Sequence, residues 1–174
     1  MTDTALRSGR FVGLDVGSVR IGVALSDELG IIASPETTII VRPGAGGEQE
    51  AIATIVQLVR DAGAIRVVAG LPRNMKGERG VQAQWTEQFV AALGDALRPY
   101  NVYVSMYDER LSSVSAARVD EGQSRNARGS RGKQRDSTSK YSVDARAAAL
   151  ILQGYLDRRR LREARRLDDQ MQDS

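Results

Sequence analysis

Histidine and cysteine are both absent from the 174 residues. Any chemistry therefore falls to carboxylates, hydroxyls and cations. Ser-His-Asp and Cys-His catalysis is excluded, as are disulfides, thiolate sites and imidazole-bound zinc. A metal would have to be held by oxygen, which favours Mg²⁺ or Mn²⁺. Three acids, Asp15, Glu109 and Asp144, stand where their neighbours make a carboxylate conspicuous.

Asp15 lies in Arg10–Ser26, which reads as two apolar strands about a turn at Gly17-Ser18. Strand side chains alternate between faces, so Val12, Leu14 and Val16 point one way and Phe11, Gly13, Asp15 and Gly17 the other. A carboxylate in an apolar strand is costly unless something cationic binds it, and two glycines on its face leave room for an ion and a phosphate. Equally, Asp15 could end the strand by accepting turn amides. Glu109 closes the segment from Asn101 and counts by twos with Tyr103, Ser105 and Tyr107, whereas Asp108 follows Val102, Val104 and Met106. Glu109 therefore sits on the more polar face, and Asp108 reads as a turn or capping residue. Asp144 heads a stripe with Ala147, Ala148, Ile151 and Tyr155, at the spacing of one helix face. Helix-dipole stabilisation explains an acid in the first turn but not its position on the packing face.

Carboxylates gathered in one small pocket repel each other, and divalent cations relieve that repulsion. Two cations roughly 4 Å apart could activate a water and stabilise a leaving oxygen in phosphodiester cleavage, chemistry that requires neither histidine nor cysteine.

The elements that must bring these acids together read as follows. Strands are expected over 10–16 and 19–26, with a third around 30–41 interrupted by Pro35. A helix over 48–61 follows from Ile52, Ile55, Val56 and Val59, with Gly63 just past its end. Then come an apolar strand over 64–71 and a basic loop over 72–80. A helix over 81–97 should bury Val81, Trp85, Gln88, Phe89, Ala92 and Leu93, and Arg98-Pro99 should stop it. The strand over 101–107 precedes a short helix from Ser112 or Ser113 to about Asp120. A polar loop over 122–140 and a helix from Ser142 to about Arg160 complete the order, with 162–166 either extending that helix or fraying. Early antiparallel strands and later strands separated by helices imply an α/β fold with a mixed sheet. Residues 1–9 read as a flexible N-terminus, 10–160 as one domain and 161–174 as a basic, polar tail.

Composition sets the class of partner. Hydrophobic residues make up 41% and charged residues 27%, ordinary for a globular domain, with no membrane-length apolar run and no secretory signal in the polar N-terminus. Residues 1–121 carry 12 basic and 15 acidic side chains, net −3, whereas residues 122–174 carry 13 and 7, net +6. A basic C-terminal third on an acidic body suggests a polyanionic partner, although charge runs are more often solvated surface.

Four segments together resemble the bacterial YqgF/RuvX family: Gly13-Leu-Asp-Val-Gly with Arg20-Ile-Gly-Val-Ala24, Gly70-Leu-Pro-Arg-Asn-Met-Lys-Gly77, Tyr107-Asp-Glu-Arg-Leu-Ser112, and Val143 through Gln153. Each is weak alone, but the set in this order and spacing is specific. The resemblance implies a ribonuclease H-like fold related to Holliday junction resolvases, and a role in maturing the 5′ end of the 16S ribosomal RNA precursor in the cytoplasm. It also implies an acidic, Mg²⁺- or Mn²⁺-binding centre of Asp15, Glu109 and Asp144, with Arg20, Asn74 and Arg110 as neighbouring or substrate contacts. Related resolvases often carry a further acid one turn along the last helix, where this chain has Ala147 and Ala148.

The expected function is thus metal-dependent cleavage of structured nucleic acid, with phosphates gripped by Arg73, Lys76, Arg79, Arg125, Arg128, Arg131, Lys133 and Lys140. Precursor ribosomal RNA is the first substrate considered. Four-way DNA is the second, and cutting it symmetrically would need a homodimer with paired sites. A non-catalytic RNA-binding assembly factor is a third reading. Phosphoryl transfer from ATP, suggested by the first hairpin, lacks the second domain that such enzymes use.

Overall fold

A computed structural model describes residues 9–44, 46–71, 79–108 and 141–172. Its element order is β1 (Arg10–Val16), β2 (Arg20–Ser26), β3 (Ala33–Ile40), α1 (Gly47–Asp61), β4 (Ala64–Gly70), α2 (Arg79–Leu97), a 3₁₀ turn (Arg98–Tyr100), β5 (Tyr103–Tyr107) and α3 (Val143–Gln172). The five strands form one sheet in the order β3-β2-β1-β4-β5. β1 pairs antiparallel with β2, and β2 with β3. β4 runs parallel to both β1 and β5. The expected α/β architecture is therefore the observed one. The expected short helix after Ser112 and the polar loop over 122–140 lie outside the described residues, as does the N-terminus through residue 8.

β1 is central because both of its faces can be covered. Val12, Leu14 and Val16 point into an aliphatic core with Ile55 and Val59 of α1 and Phe89, Leu93 and Leu97 of α2. Phe11 points to the opposite face, into a second core with Ala148, Leu152 and Leu156 of α3. Helices thus cover both sides of the sheet.

α1 buries Ala51, Ile55 and Val59 and ends before Gly63, whose φ of 60° is a left-handed conformation that glycine adopts without a Cβ penalty. α2 departs from its expected stripe. Gln88 and Ala92 are exposed, and Thr86, Phe89, Val90, Leu93 and Leu97 are buried. The helix is rotated because Trp85 is held at the α1–α2 seam, where its indole N–H donates to Glu48 at 2.6 Å and its ring stacks on Phe89 at 5.2 Å. Pro35 does not interrupt β3. The register shifts opposite Val23 and Ala24, and a bulge on an edge strand accommodates a residue with no N–H to donate.

α3 is tied down at both ends of its sheet contact. Ser142 caps it, its hydroxyl accepting from the Ala145 amide at 3.1 Å and also bonding Thr38 of β3. Further along, Gln153 accepts from the Ala33 amide at 2.9 Å and donates to the Ile31 carbonyl at 3.0 Å. The helix continues to Gln172 instead of stopping near Arg160. Arg159 pairs with Glu163 at 2.7 Å and Arg160 with Asp157 at 2.8 Å, and the run is rich in Arg, Leu, Ala and Gln, all good helix formers.

Candidate nuclease site

Asp15 and Asp144 meet through a glycine that the sequence reading left out. In the β1–β2 ladder Asp15 stands opposite Gly22, and directly opposed residues lie about 5 Å apart. The first turn of α3 rests on that same glycine. A Cβ at Gly22 would fall on the Asp144 carbonyl and lie 3.0 Å from the Ala145 amide nitrogen. The backbone of Asp144 therefore sits over the residue facing Asp15, which brings acids separated by 129 positions to the two sides of one glycine.

The glycines expected to clear space for an ion have other uses. A Cβ at Gly13 would meet Leu152 Cβ at 2.6 Å and the Ala148 carbonyl at 2.9 Å, so Gly13 lets α3 lie close to the sheet. A Cβ at Gly17 would meet the Arg20 carbonyl at 2.8 Å, within the hairpin turn where the Gly17 amide donates to that carbonyl. Gly22, across the ladder from Asp15, is where the α3 backbone seats. The signal was present in the sequence, since Arg20, Gly22, Ala24 and Ser26 share one face of β2, but only the pairing register shows that Gly22 faces Asp15.

Asp144 lies at the margin of the helix contact. Its midline runs through Ala145, Ala148, Leu152 and Leu156, all fully buried, while Asp144, Ala147 and Tyr155 are half-buried on the flank. That placement leaves the Asp144 carboxylate accessible while its backbone is fixed. Arg20, an expected contact residue, reaches Asp144 at 4.0 Å, its side chain 63% exposed. A pair this open contributes little to stability, but it puts a cation at the rim of the acidic pair.

Glu109 and Arg110 lie outside the described residues, as do Arg73, Asn74, Lys76, Arg125, Arg128, Arg131, Lys133 and Lys140. Arg79 is the first residue of α2. Among the described residues no three acids, histidines or cysteines cluster closely enough to hold a metal ion. Asp15 and Asp144 are carboxylates, the hard oxygen donors that a divalent cation prefers. β5 ends at Tyr107, whose carbonyl accepts from the Leu71 amide at 3.0 Å. That bond pins the carboxyl end of β5, two residues before Glu109, to the end of β4.

A family model described as RuvX, Holliday junction resolvase, matches residues 9–158. The chain belongs to this family. Among RuvX relatives, a protein of Chloroflexus aurantiacus is 46% identical over 149 residues, covering 86% of this chain and 87% of its own. One from Anaeromyxobacter dehalogenans is 42% identical over 150 residues, covering 86% and 98%, and one from Rhodococcus opacus is 40% identical over 151 residues, covering 87% and 79%. All three bear the name "Putative pre-16S rRNA nuclease". Among solved structures, Thermus thermophilus RuvC in complex with a Holliday junction substrate superposes with a TM-score of 0.54 at 14% identity, covering 87% of this chain and 95% of that one. The likeness establishes the ribonuclease H-like α/β fold of this RuvX member.

Proposed function

We propose that this protein is a divalent-metal-dependent endonuclease that processes the 5′ end of precursor 16S ribosomal RNA in the cytoplasm. The observation that carries the reading is the seating of the Asp144 backbone on Gly22, opposite Asp15. The names of the RuvX relatives support the substrate.

Asp15 and Asp144 would hold Mg²⁺ or Mn²⁺, and Glu109 would complete the set. Such ions, when bound, supply activation of an attacking water and neutralisation of charge at the scissile phosphate. The chain's own contribution is positioning. β1, paired on both sides, fixes Asp15 in a rigid ladder. Ser142 and Thr38 fix the first turn of α3, and with it Asp144. Arg20, exposed at the rim, can meet a phosphate oxygen of an incoming strand while remaining beside Asp144. The basic side chains expected over 72–80 and 122–140 would add phosphate contacts that read shape more than base sequence.

The family description favours a second substrate, four-way DNA, which would need two copies acting together. One experiment separates the readings. Purified protein is incubated with precursor 16S RNA and with a synthetic four-way junction, in Mg²⁺, Mn²⁺ or chelator, alongside Asp15→Asn and Asp144→Asn. The expected result is RNA cleavage that requires the ion and falls to background in both variants. Cleavage of the junction alone would transfer the function to DNA. Intact cleavage by Asp144→Asn would refute the assignment of the site, and RNA binding without ion-dependent turnover would leave a binding protein.

A further inference from the structure

The face of α3 that carries Asp144 does not become an ordinary solvated surface beyond the sheet. Continuing its stripe at helical spacing leads through Ile151 and Tyr155 to Arg158, Arg159, Arg162 and Arg166. These arginines line one wall of a groove of about 370 Å³, whose other wall is formed by the β4–β5 side of the sheet, including Arg66 and Tyr107. Along the groove, arginines outnumber acids five to two. At its β5 end lies Asp108, next in the chain to Glu109.

Two observations argue for a ligand here. First, Arg158 and Arg162 have no acidic partner within ion-pair distance among the described residues, although other surface arginines do, such as Arg98 with Asp95 at 2.7 Å. Second, aromatic rings back the groove beneath its arginines. Arg159 lies 4.8 Å over the Phe11 ring, and Tyr155 packs edge-on to Tyr107 at 6.0 Å. Arginines without acidic partners, ranged along a groove, are the pattern that holds a nucleic-acid strand by its phosphates with tolerance for sequence.

We propose that this groove binds the phosphodiester backbone of a nucleic-acid strand and grips the substrate away from the acidic pair. From Asp144, Arg158 lies about 21 Å and Arg166 about 33 Å along the helix at 1.5 Å per residue. One rigid helix would therefore set the span between the point of cleavage and the point of grip. This inference deepens the nuclease reading and rests on it. Its test is run in chelator, so that binding is scored apart from turnover.

The probes are a labelled 30-nucleotide single-stranded RNA, the DNA strand of the same sequence and the corresponding RNA duplex. Binding is followed by fluorescence anisotropy over a salt series for the full chain, for Arg158→Ala/Arg162→Ala, and for Arg60→Ala/Arg98→Ala, which removes the same charge outside the groove lining. Thermal melting confirms that each variant is folded. The groove variant should bind at least one probe about tenfold more weakly at low salt. Its dependence of log K on log salt should be shallower by about 1.4 to 1.8, the loss of two phosphate contacts, while the remote variant stays near the parent. The probe showing this difference identifies the strand type. Equal weakening of both variants would reduce the effect to net charge and overturn the proposal, as would no change in either or no binding of any probe by the parent. Binding that follows the groove, combined with no cleavage in Mg²⁺ or Mn²⁺, would overturn the nuclease reading and leave the groove in place.

Discussion

The two faces of the sheet are built to different rules. Against α1 and α2 the strands present large aliphatic side chains, with Leu14, Ile21, Val23 and Val67 fully buried. Against α3 they present glycine at Gly13, Gly22 and Gly70, where a Cβ would collide with Leu152, with the Asp144 backbone or with Ile151. The first face gains stability by burying side chains, at about 25 cal/mol per Å² of apolar surface. The second gives up side-chain burial so that a helix backbone can approach the strands. That closeness is what brings Asp144 beside Asp15. Stability and site geometry are thus carried by opposite sides of the same strands.

This contrast can be broken experimentally. The largest effect on stability is expected from Leu93→Ala on the aliphatic face, about 2–5 kcal/mol as for other fully buried leucines, read from chemical denaturation. Cleavage per folded molecule should be unchanged, and a specific loss of activity would show that the two faces are not independent. Gly22→Ala should give the opposite signature. Forcing a methyl against the Asp144 carbonyl costs about 1–3 kcal/mol, but the displaced helix should lower cleavage by about 100-fold, as an ångström-scale misplacement can. If Gly22→Ala retained full activity, the glycine contact would not be what positions the acids.

The smallest effect is expected at the β2–β3 connection. Asp27 accepts from the Ile32 and Ile31 amides at 2.9 and 2.6 Å, and these bonds hold its carboxyl below the usual aspartate range. A lowered folded-state value means the contribution is fully present above the unfolded-state pKa and is lost as pH falls through the folded one. Asp27→Asn should therefore lower stability slightly at neutral pH and converge with the parent in acid, which flattens the acid limb of the stability–pH curve. A variant that matches the parent at neutral pH but differs from it in acid would contradict that assignment.

Much of this was legible from the chain alone. Alternating apolar residues located β1 and β2, and helical spacing located α1 and the start of α3, because both patterns depend on local geometry. The same logic placed Asp144 on the packing side of its helix. It went astray for α2, whose Gln88 and Ala92 turned outward, because the rotation was decided by Trp85 meeting Glu48 on another helix. It left the end of α3 open, because the pattern lost its apolar stripe at Arg158 although the backbone continued on side-chain pairs and helix propensity.

What the amino-acid order determined by itself was the class of chemistry and the inventory for it: oxygen ligands only, acids at the ends of predicted elements, and a basic C-terminal third. What the tertiary structure alone decided was adjacency. Asp15 faces Gly22 because of a pairing register, and Asp144 rests on Gly22 because a capped helix crosses the sheet there. The arginines beyond Tyr155 line a groove because the helix outruns its apolar stripe while keeping its direction. Local sequence encodes periodicity, but which residues meet across strands and helices depends on contacts made between distant parts of the chain.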